Sequence, residues 1–362
     1  MLTRLQSWLK LSGSGNRRTV LFSGDLRMNF VVFRPVYEAL KDDARIRFYF
    51  SSDLKRFDEI LSLYQPFGID KSQIIDPHTA RRHPFDLFLT PMKVCLGKKA
   101  KIKVKMAHGV SFKGKHYANQ FSEFDYVVCP GPFLKRVHED MEGAKGAGPQ
   151  LVVLGFPKLD ALVNGCFNRE RLLKEYKLDP ALPVVLYAPT WGEGNSVETM
   201  GEGIARLMQN EPVNFLIRLH EHDRHWREKL KPLVTGNIHF DDTEDVSPSL
   251  FLADLLISDA SSVANEFTLL DRPIVFCDVP ELLSRYPLNR YDSGWGRQMG
   301  TLARTPEEVR DAVREGLKNP GHLSEIRRQV ASELFFEPGR STQLTVAQIY
   351  DWLALAHESS AA

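Results

Sequence analysis

The residues best suited to chemistry are a pair of serines at a strand-turn-helix pattern and several histidines placed where strands end. In Ile257-Ser258-Asp259-Ala260-Ser261-Ser262-Val263-Ala264-Asn265-Glu266-Phe267, the preceding run Leu255-Leu256-Ile257 has the length and branching of a strand buried in a parallel sheet. Ser261 and Ser262 then fall where the first N–H groups of a helix need partners. Such a start attracts an anion through its unpaired donors and its dipole, so a nucleotide diphosphate can sit there without a metal. Glu266, four residues after Ser262, shares its helical face and can accept hydrogen bonds from ribose hydroxyls. The same pattern also describes an ordinary helix start, with serine caps and a glutamate that suits the dipole.

His108 follows the strand-like Lys101–Ala107 and precedes Gly109, which puts an imidazole where the chain must turn. A neutral histidine there can take a proton from an attacking hydroxyl. Around it stand Lys93, Lys98, Lys99, Lys101, Lys103, Lys105, Lys113 and Lys115, with no acidic residue from Met92 to His116. Two readings stay open: a positive field for phosphate-rich or lipid headgroup partners, or the solvated face of an edge strand. Arg218-Leu219-His220 closes another strand-like run, and a period of two puts Arg218 and His220 on one side, able to clamp a phosphate. His222 and His225 follow, but no compact ligand set completes a metal site, so none is expected. Asp241, Asp242, Glu244 and Asp245 read as a polar loop ending in a cap. Pro189-Thr190-Trp191, after the strand ending at Tyr187, offers small residues and an aromatic plane beside a nucleobase. Walker A, GxGxxG and GxSxG patterns are absent, so kinase, dinucleotide and serine-hydrolase readings lack their working parts.

Parallel strands separated by helices must position these groups. Strand-like runs recur at 19–22, 46–50, 86–89, 102–107, 126–129 and 152–154, and again after Pro183 at 184–187, 215–219, 255–258 and 274–277, with helical patterns between several of them. Thr305, Pro306 and Glu307-Glu308 make the clearest helix start. The alternation predicts an α/β chain of two Rossmann-like halves with ligands beyond the carboxyl ends of the strands, in a cleft where the halves face each other. The expected organisation is an amphipathic terminal segment and linker over 1–15, domains over 16–160 and 161–340, and a final helix over 341–362 packing back on the first domain. The 362 residues are 43% hydrophobic and 26% charged with net charge +1, ordinary globular composition that argues against wholesale nucleic-acid binding. Cys95, Cys129, Cys166 and Cys277 are widely spaced and read as reduced core residues of a cytoplasmic protein. No apolar run approaches the roughly 18–20 residues that cross a bilayer. Leu2, Leu5, Trp8 and Leu9 can share a helical face flanked by Arg4 and Lys10, either packing on the protein or anchoring at an anionic membrane.

Taken together, Met106-Ala107-His108-Gly109, Gly155-Phe156-Pro157-Lys158-Leu159-Asp160, Leu186–Trp191, Arg218-Leu219-His220 and Ile257–Ser262 resemble, in order and spacing, the CDP-glycerol glycerophosphotransferase family of teichoic-acid synthesis. The resemblance implies the GT-B fold and transfer of glycerol phosphate from a CDP-activated donor to a hydroxyl acceptor, with no cofactor. It implies His108 as general base, Arg218 and His220 on the phosphates, Ser261 and Ser262 on the pyrophosphate, and Glu266 at the ribose. The chain departs from the family where Val110-Ser111-Phe112 lacks a proline, where Gly192-Glu193 follows Trp191 in place of a basic residue, and where Gln343 replaces an arginine. The acceptor stays open among a lipid-linked saccharide, a growing polymer and a capsule component, with the inner face of the cytoplasmic membrane as the expected place of reaction. Rival readings are a GT-B glycosyltransferase, a nucleotide-sugar 2-epimerase and a noncatalytic scaffold sharing the fold.

Overall fold

The computed structural model describes residues 6–7, 10–11, 15–110, 121–142, 148–285 and 296–357. The chain divides into two units: the first takes Met1–His108, Tyr117–Asp160 and Phe335–Ala362, the second Gly109–His116 and Ala161–Leu334.

The first unit holds six parallel strands, β1 (Arg18–Ser23), β2 (Ile46–Ser51), β3 (Leu87–Thr90), β4 (Ile102–Met106), β5 (Tyr126–Cys129) and β6 (Gln150–Val153), in the order β2-β1-β3-β4-β5-β6. The second holds β7 (Val184–Tyr187), β8 (Asn214–Ile217), β9 (Ile238–Phe240), β10 (Leu255–Ser258), β11 (Ile274–Cys277) and β12 (Thr301–Ala303), in the order β12-β11-β10-β7-β8-β9. All the strand pairs are parallel, and β7, β8, β10 and β11 are buried along their whole length. This is why they read as continuous apolar runs. Each unit is a Rossmann-like parallel sheet, as the alternation predicted.

The helices used below are α1 (Arg27–Leu40), α2 (Pro132–Glu142), α3 (Ser196–Thr199), α4 (Ser247–Leu252), α5 (Ser262–Phe267), α6 (Pro306–Lys318) and α7 (Ser341–Trp352). Thr305 caps α6 by accepting the Glu308 N–H at 3.2 Å, and the Glu308 carboxylate accepts the Arg304 N–H at 2.7 Å. The expected helix start is therefore built from both ends of the turn. Before α4, Asp245 accepts the Ser247 N–H and hydroxyl, while the N-cap position itself is Val246, which makes no side-chain cap bond, so the acidic loop ends one residue short of the expected cap.

Three expectations need correction. The lysine-rich strand β4 is not an edge, because it lies between β3 and β5. Lys101 pairs with Asp86 at 2.7 Å and Lys103 with Asp125 at 3.6 Å, while Lys105 is buried and donates to the carbonyls of Pro91 and Met106 at 2.8 and 2.6 Å. Neighbouring acids thus offset part of the basic run; Lys113 and Lys115 lie outside the described residues. Second, Cys166 is exposed, whereas Cys95, Cys129 and Cys277 are buried. Third, the strand before His220 stops at Ile217, two residues short of the predicted end.

At the N-terminus, Lys10 donates to the carbonyls of Lys71 and Ile74, both at 2.7 Å, and Leu11 is buried in the core beside β1 and β3. The lysine assigned to lipid headgroups is therefore engaged with backbone of its own unit. Leu2, Arg4, Leu5, Trp8 and Leu9 lie outside the described residues. Among the described residues no helix is long and apolar enough to cross a membrane.

The chain leaves the first unit after the motif Gly155–Asp160 and returns to it at Phe335. Gly155 has φ 79°, and a Cβ there would fall 2.2 Å from Ser341 Oγ and 2.5 Å from the Phe336 carbonyl, so only glycine fits. Asp160 accepts the N–H groups of Gly339, Ser341 and Thr342 at 3.0, 3.1 and 2.6 Å. A carboxylate thus already fills the anion position at the start of α7. The segment Gly339–Gln343 works as a latch that docks α7 on the first unit, where Ile349, Tyr350 and Trp352 join the core.

Candidate active site

Within the second unit the chain runs from β7 outward to β8 and β9, then crosses back to β10 on the other side of β7. The order therefore reverses between β7 and β10, and the carboxyl ends of these two neighbours form a topological switch point, the place where such sheets receive ligands. The predicted residues Pro189, Thr190 and Trp191 follow β7, and Ser261 and Ser262 follow β10. Arg218 and His220 follow β8, the strand on the far side of β7.

Asp259 organises this edge. It is 1% exposed and its Oδ1 accepts the Thr190 N–H at 2.7 Å, while Oδ2 accepts the Ser196 N–H at 3.0 Å and hydroxyl at 2.7 Å. One carboxylate therefore ties the end of β10 to both ends of the loop between β7 and α3. The Ser258 hydroxyl adds a bond to the Ala188 carbonyl at 2.7 Å. From the other side Asp223 accepts the Gly192 N–H at 3.2 Å and Asn195 Nδ2 at 2.5 Å. The 190–195 loop is fixed by two carboxylates from two strands' ends, which sequence reading missed because each bond spans 28 residues or more.

Trp191, 39% exposed, stands on that fixed loop with its ring 5.9 Å from the His220 ring and 5.1 Å from His222. The His222 N–H donates to His220 Nδ1 at 3.2 Å. An accepting Nδ1 leaves Nε2 as the donor nitrogen of the His220 ring. Arg218 finds a different partner: its Nη1 donates to Asp241 Oδ2 at 2.5 Å and to Thr243 Oγ1 at 3.1 Å. The Asp241 side chain is fully buried and also accepts the Ser249 hydroxyl at 2.5 Å. Arg218 is thus half of a buried ion pair, a structural duty that the period of two did not reveal.

Ser261 is the N-cap of α5, accepting the Val263 N–H at 3.4 Å. That is a long bond, and Ser261, Ser262 and Val263 are all partly exposed. Glu266 is 1% exposed, so a ribose would reach it only by parting the side chains that cover it. His108 is exposed, one residue beyond Ala107 at the end of β4. Among the described residues no three His, Cys, Asp or Glu side chains gather as metal ligands.

Residues 96–350 match the family described as CDP-glycerol:poly(glycerophosphate) glycerophosphotransferase. The chain belongs to that family. Among its glycerophosphotransferase relatives, the teichoic acid poly(glycerol phosphate) polymerase of Bacillus subtilis is 24% identical over 251 residues, 65% of this chain and 33% of its own. The teichoic acid poly(ribitol-phosphate) polymerase of Bacillus spizizenii is 24% identical over 366 residues, 91% of this chain and 56% of its own. The chain therefore spans between a third and about three fifths of the length of the first curated relatives it matches. The solved structure of the wall teichoic acid polymerase TagF superposes with a TM-score of 0.67 at 16% identity, covering 97% of this chain and 94% of that one. A Staphylococcus aureus MnaA–UDP structure superposes with a TM-score of 0.61 at 14% identity, over 95% and 98%. Both likenesses are of fold.

Proposed function

We propose that this member of the family transfers glycerol phosphate, or a related polyol phosphate, from a CDP-activated donor to a hydroxyl acceptor in the synthesis of a cell-envelope polymer. The strongest support is the gathering of Thr190, Trp191, Ser261 and Ser262 at one switch point, in a chain whose family acts on CDP-glycerol. The cytidine end of the donor lies by Pro189, Thr190 and Trp191, the diphosphate rests at Ser261 and Ser262, and the ribose reaches Glu266 by parting the side chains that cover it. His220 donates Nε2–H to a phosphate oxygen, and Arg218 adds positive charge while keeping its pairing to Asp241.

In the reaction the acceptor hydroxyl attacks the phosphorus that carries glycerol, giving its proton to His108. The bond from that phosphorus to the bridging oxygen breaks, and CMP departs with the bond's electron pair. Donors at the helix start and at His220 stabilise charge on the transferred group and the leaving phosphate. A single displacement inverts the configuration at phosphorus. The acceptor is a hydroxyl of a lipid-linked saccharide, met at the cytoplasmic face of the membrane.

Melting of the full chain with CDP-glycerol, CDP-ribitol and UDP-sugars tests the donor, because a ligand that binds only the folded state raises its melting temperature. The proposal expects a rise with a CDP-polyol and release of CMP when acceptor is added. A rise with UDP-sugars alone would replace it with a glycosyltransferase or epimerase reading, and no response to any of them would leave a scaffold.

A further inference from the structure

Asn265 stands on α5 between the serine start and Glu266, and it is 1% exposed. Its Nδ2 donates to the carbonyl of Val110 at 2.6 Å, across 155 residues of sequence. Its Oδ1 is buried without a hydrogen-bond partner among the described residues. Val110 is itself fully buried. Gly109, which joins Val110 to His108, lies so close to α5 that a Cβ on it would fall 2.8 Å from Ser262 Oγ and 3.2 Å from Ser262 Cβ. Gly109 and Val110 belong to the second unit although the strand that leads to them, β4, belongs to the first.

One short helix therefore holds the two residues after His108 at two points: Gly109 against Ser262, and Val110 on the Asn265 amide. A buried amide that leaves its oxygen unsatisfied is a costly way to fill an apolar position. Packing alone does not account for it, whereas an amide N–H needed to grip a loop carbonyl does.

We infer that Asn265 is a positioning residue for the proposed transfer, clamping the turn that carries His108 to the helix whose first residues receive the donor diphosphate. The inference rests on the role proposed for His108. Asn265 touches neither donor nor acceptor; it acts through the peptide that follows the base. Productive general-base catalysis needs the imidazole within hydrogen-bond reach of the attacking hydroxyl, and the Val110 anchor limits how far His108 can swing.

Two readings on the full chain test this. The first needs no substrate: with histidines carbon-13 labelled and the His108 signal identified by its loss in His108→Ala, Asn265→Leu shifts or broadens that signal and leaves the His220 signal in place. Gly109→Ala, which disturbs the other attachment point, does the same and decides the matter if Asn265→Leu folds poorly. The second uses CDP-glycerol: kcat of Asn265→Leu falls at least tenfold while donor affinity stays within twofold. Thr268→Val serves as a control, because it removes a hydrogen bond to the Asn265 carbonyl without touching the clamp, and it leaves kcat and the His108 signal unchanged. An unmoved His108 signal, an unchanged kcat, or kcat and donor affinity falling together would overturn the inference. If the parent chain turns over no donor, the proposed function fails, and the histidine spectra still judge the clamp.

Discussion

Asp259→Asn should loosen the loop that carries Thr190 and Trp191. The carboxylate accepts three hydrogen bonds while 1% exposed, one from Thr190 and two from Ser196. Asparagine keeps one acceptor oxygen. If that oxygen faces Ser196, where two donors wait, the new NH2 group faces the Thr190 N–H and sets donor against donor. Hydrogen bonds to a charged group contribute roughly 1.5–3 kcal/mol each, and a buried donor left unpaired costs roughly 1–3 kcal/mol. Losing one bond and weakening two gives about 3 kcal/mol. For a unit of this size about 1 kcal/mol moves the melting temperature by roughly 2–4 °C, so the transition of the second unit should fall by roughly 6–12 °C. Since the freed segment carries Thr190 and Trp191, donor affinity should fall too, while kcat at saturating donor changes less. Scanning calorimetry with and without CDP-glycerol, together with titration calorimetry, reads both effects. A melting change under about 2 °C with donor affinity intact would refute the claim that this carboxylate sets the loop.

Arg218→Ala should weaken donor binding and also destabilise the second unit by roughly 3–5 kcal/mol, because it strands the buried Asp241 carboxylate. Pairing it with Asp241→Asn should recover most of the melting temperature but none of the donor affinity; recovery of both would make Arg218 purely structural. Burial, reinforced by nearby Lys105, pushes the His138 pKa down to about 4. Between that value and the ordinary value near 6.5 the unfolded chain binds a proton that the folded chain does not, so stability should rise with pH across this window and be lost toward acid. His138→Phe, which retains a ring against Phe121, should flatten the dependence of the urea midpoint from pH 4 to 6.5; an unchanged slope would assign the acid sensitivity elsewhere.

The strands that position the site were legible because each is buried on both faces and therefore written as an apolar run. Two strands escaped: β9 and β12 have three residues each, too few for a pattern to register, and Thr301 and Leu302 of β12 are exposed. Strand β4 misled for a related reason. Its alternation of lysine with apolar residues suits an exposed edge, yet Asp86 and Asp125 from the flanking turns neutralise two lysines and backbone carbonyls receive the third. Ser261, Ser262, Trp191 and His220 were legible as candidates because chemistry-bearing residues follow strands. Asp259, Asp223 and Asn265, which hold the loops of the site in place, were not. Their partners lie far away in sequence, and nothing local distinguishes a gripping carboxylate or amide from a solvated one. The motif Gly155–Asp160 signalled the family without revealing its work, which is to latch the returning helix.

In the proposed transfer an imidazole takes the proton while other residues hold the donor. CMP release by His108→Ala, followed as a function of donor concentration in the presence of acceptor, tests it most directly. The expected rate is at least a hundredfold below the parent chain, on the general-acid–base scale of roughly 10²–10⁴, with half-saturation at an unchanged donor concentration. Parent-like turnover at saturating donor, or a loss that extra donor restores, would contradict it.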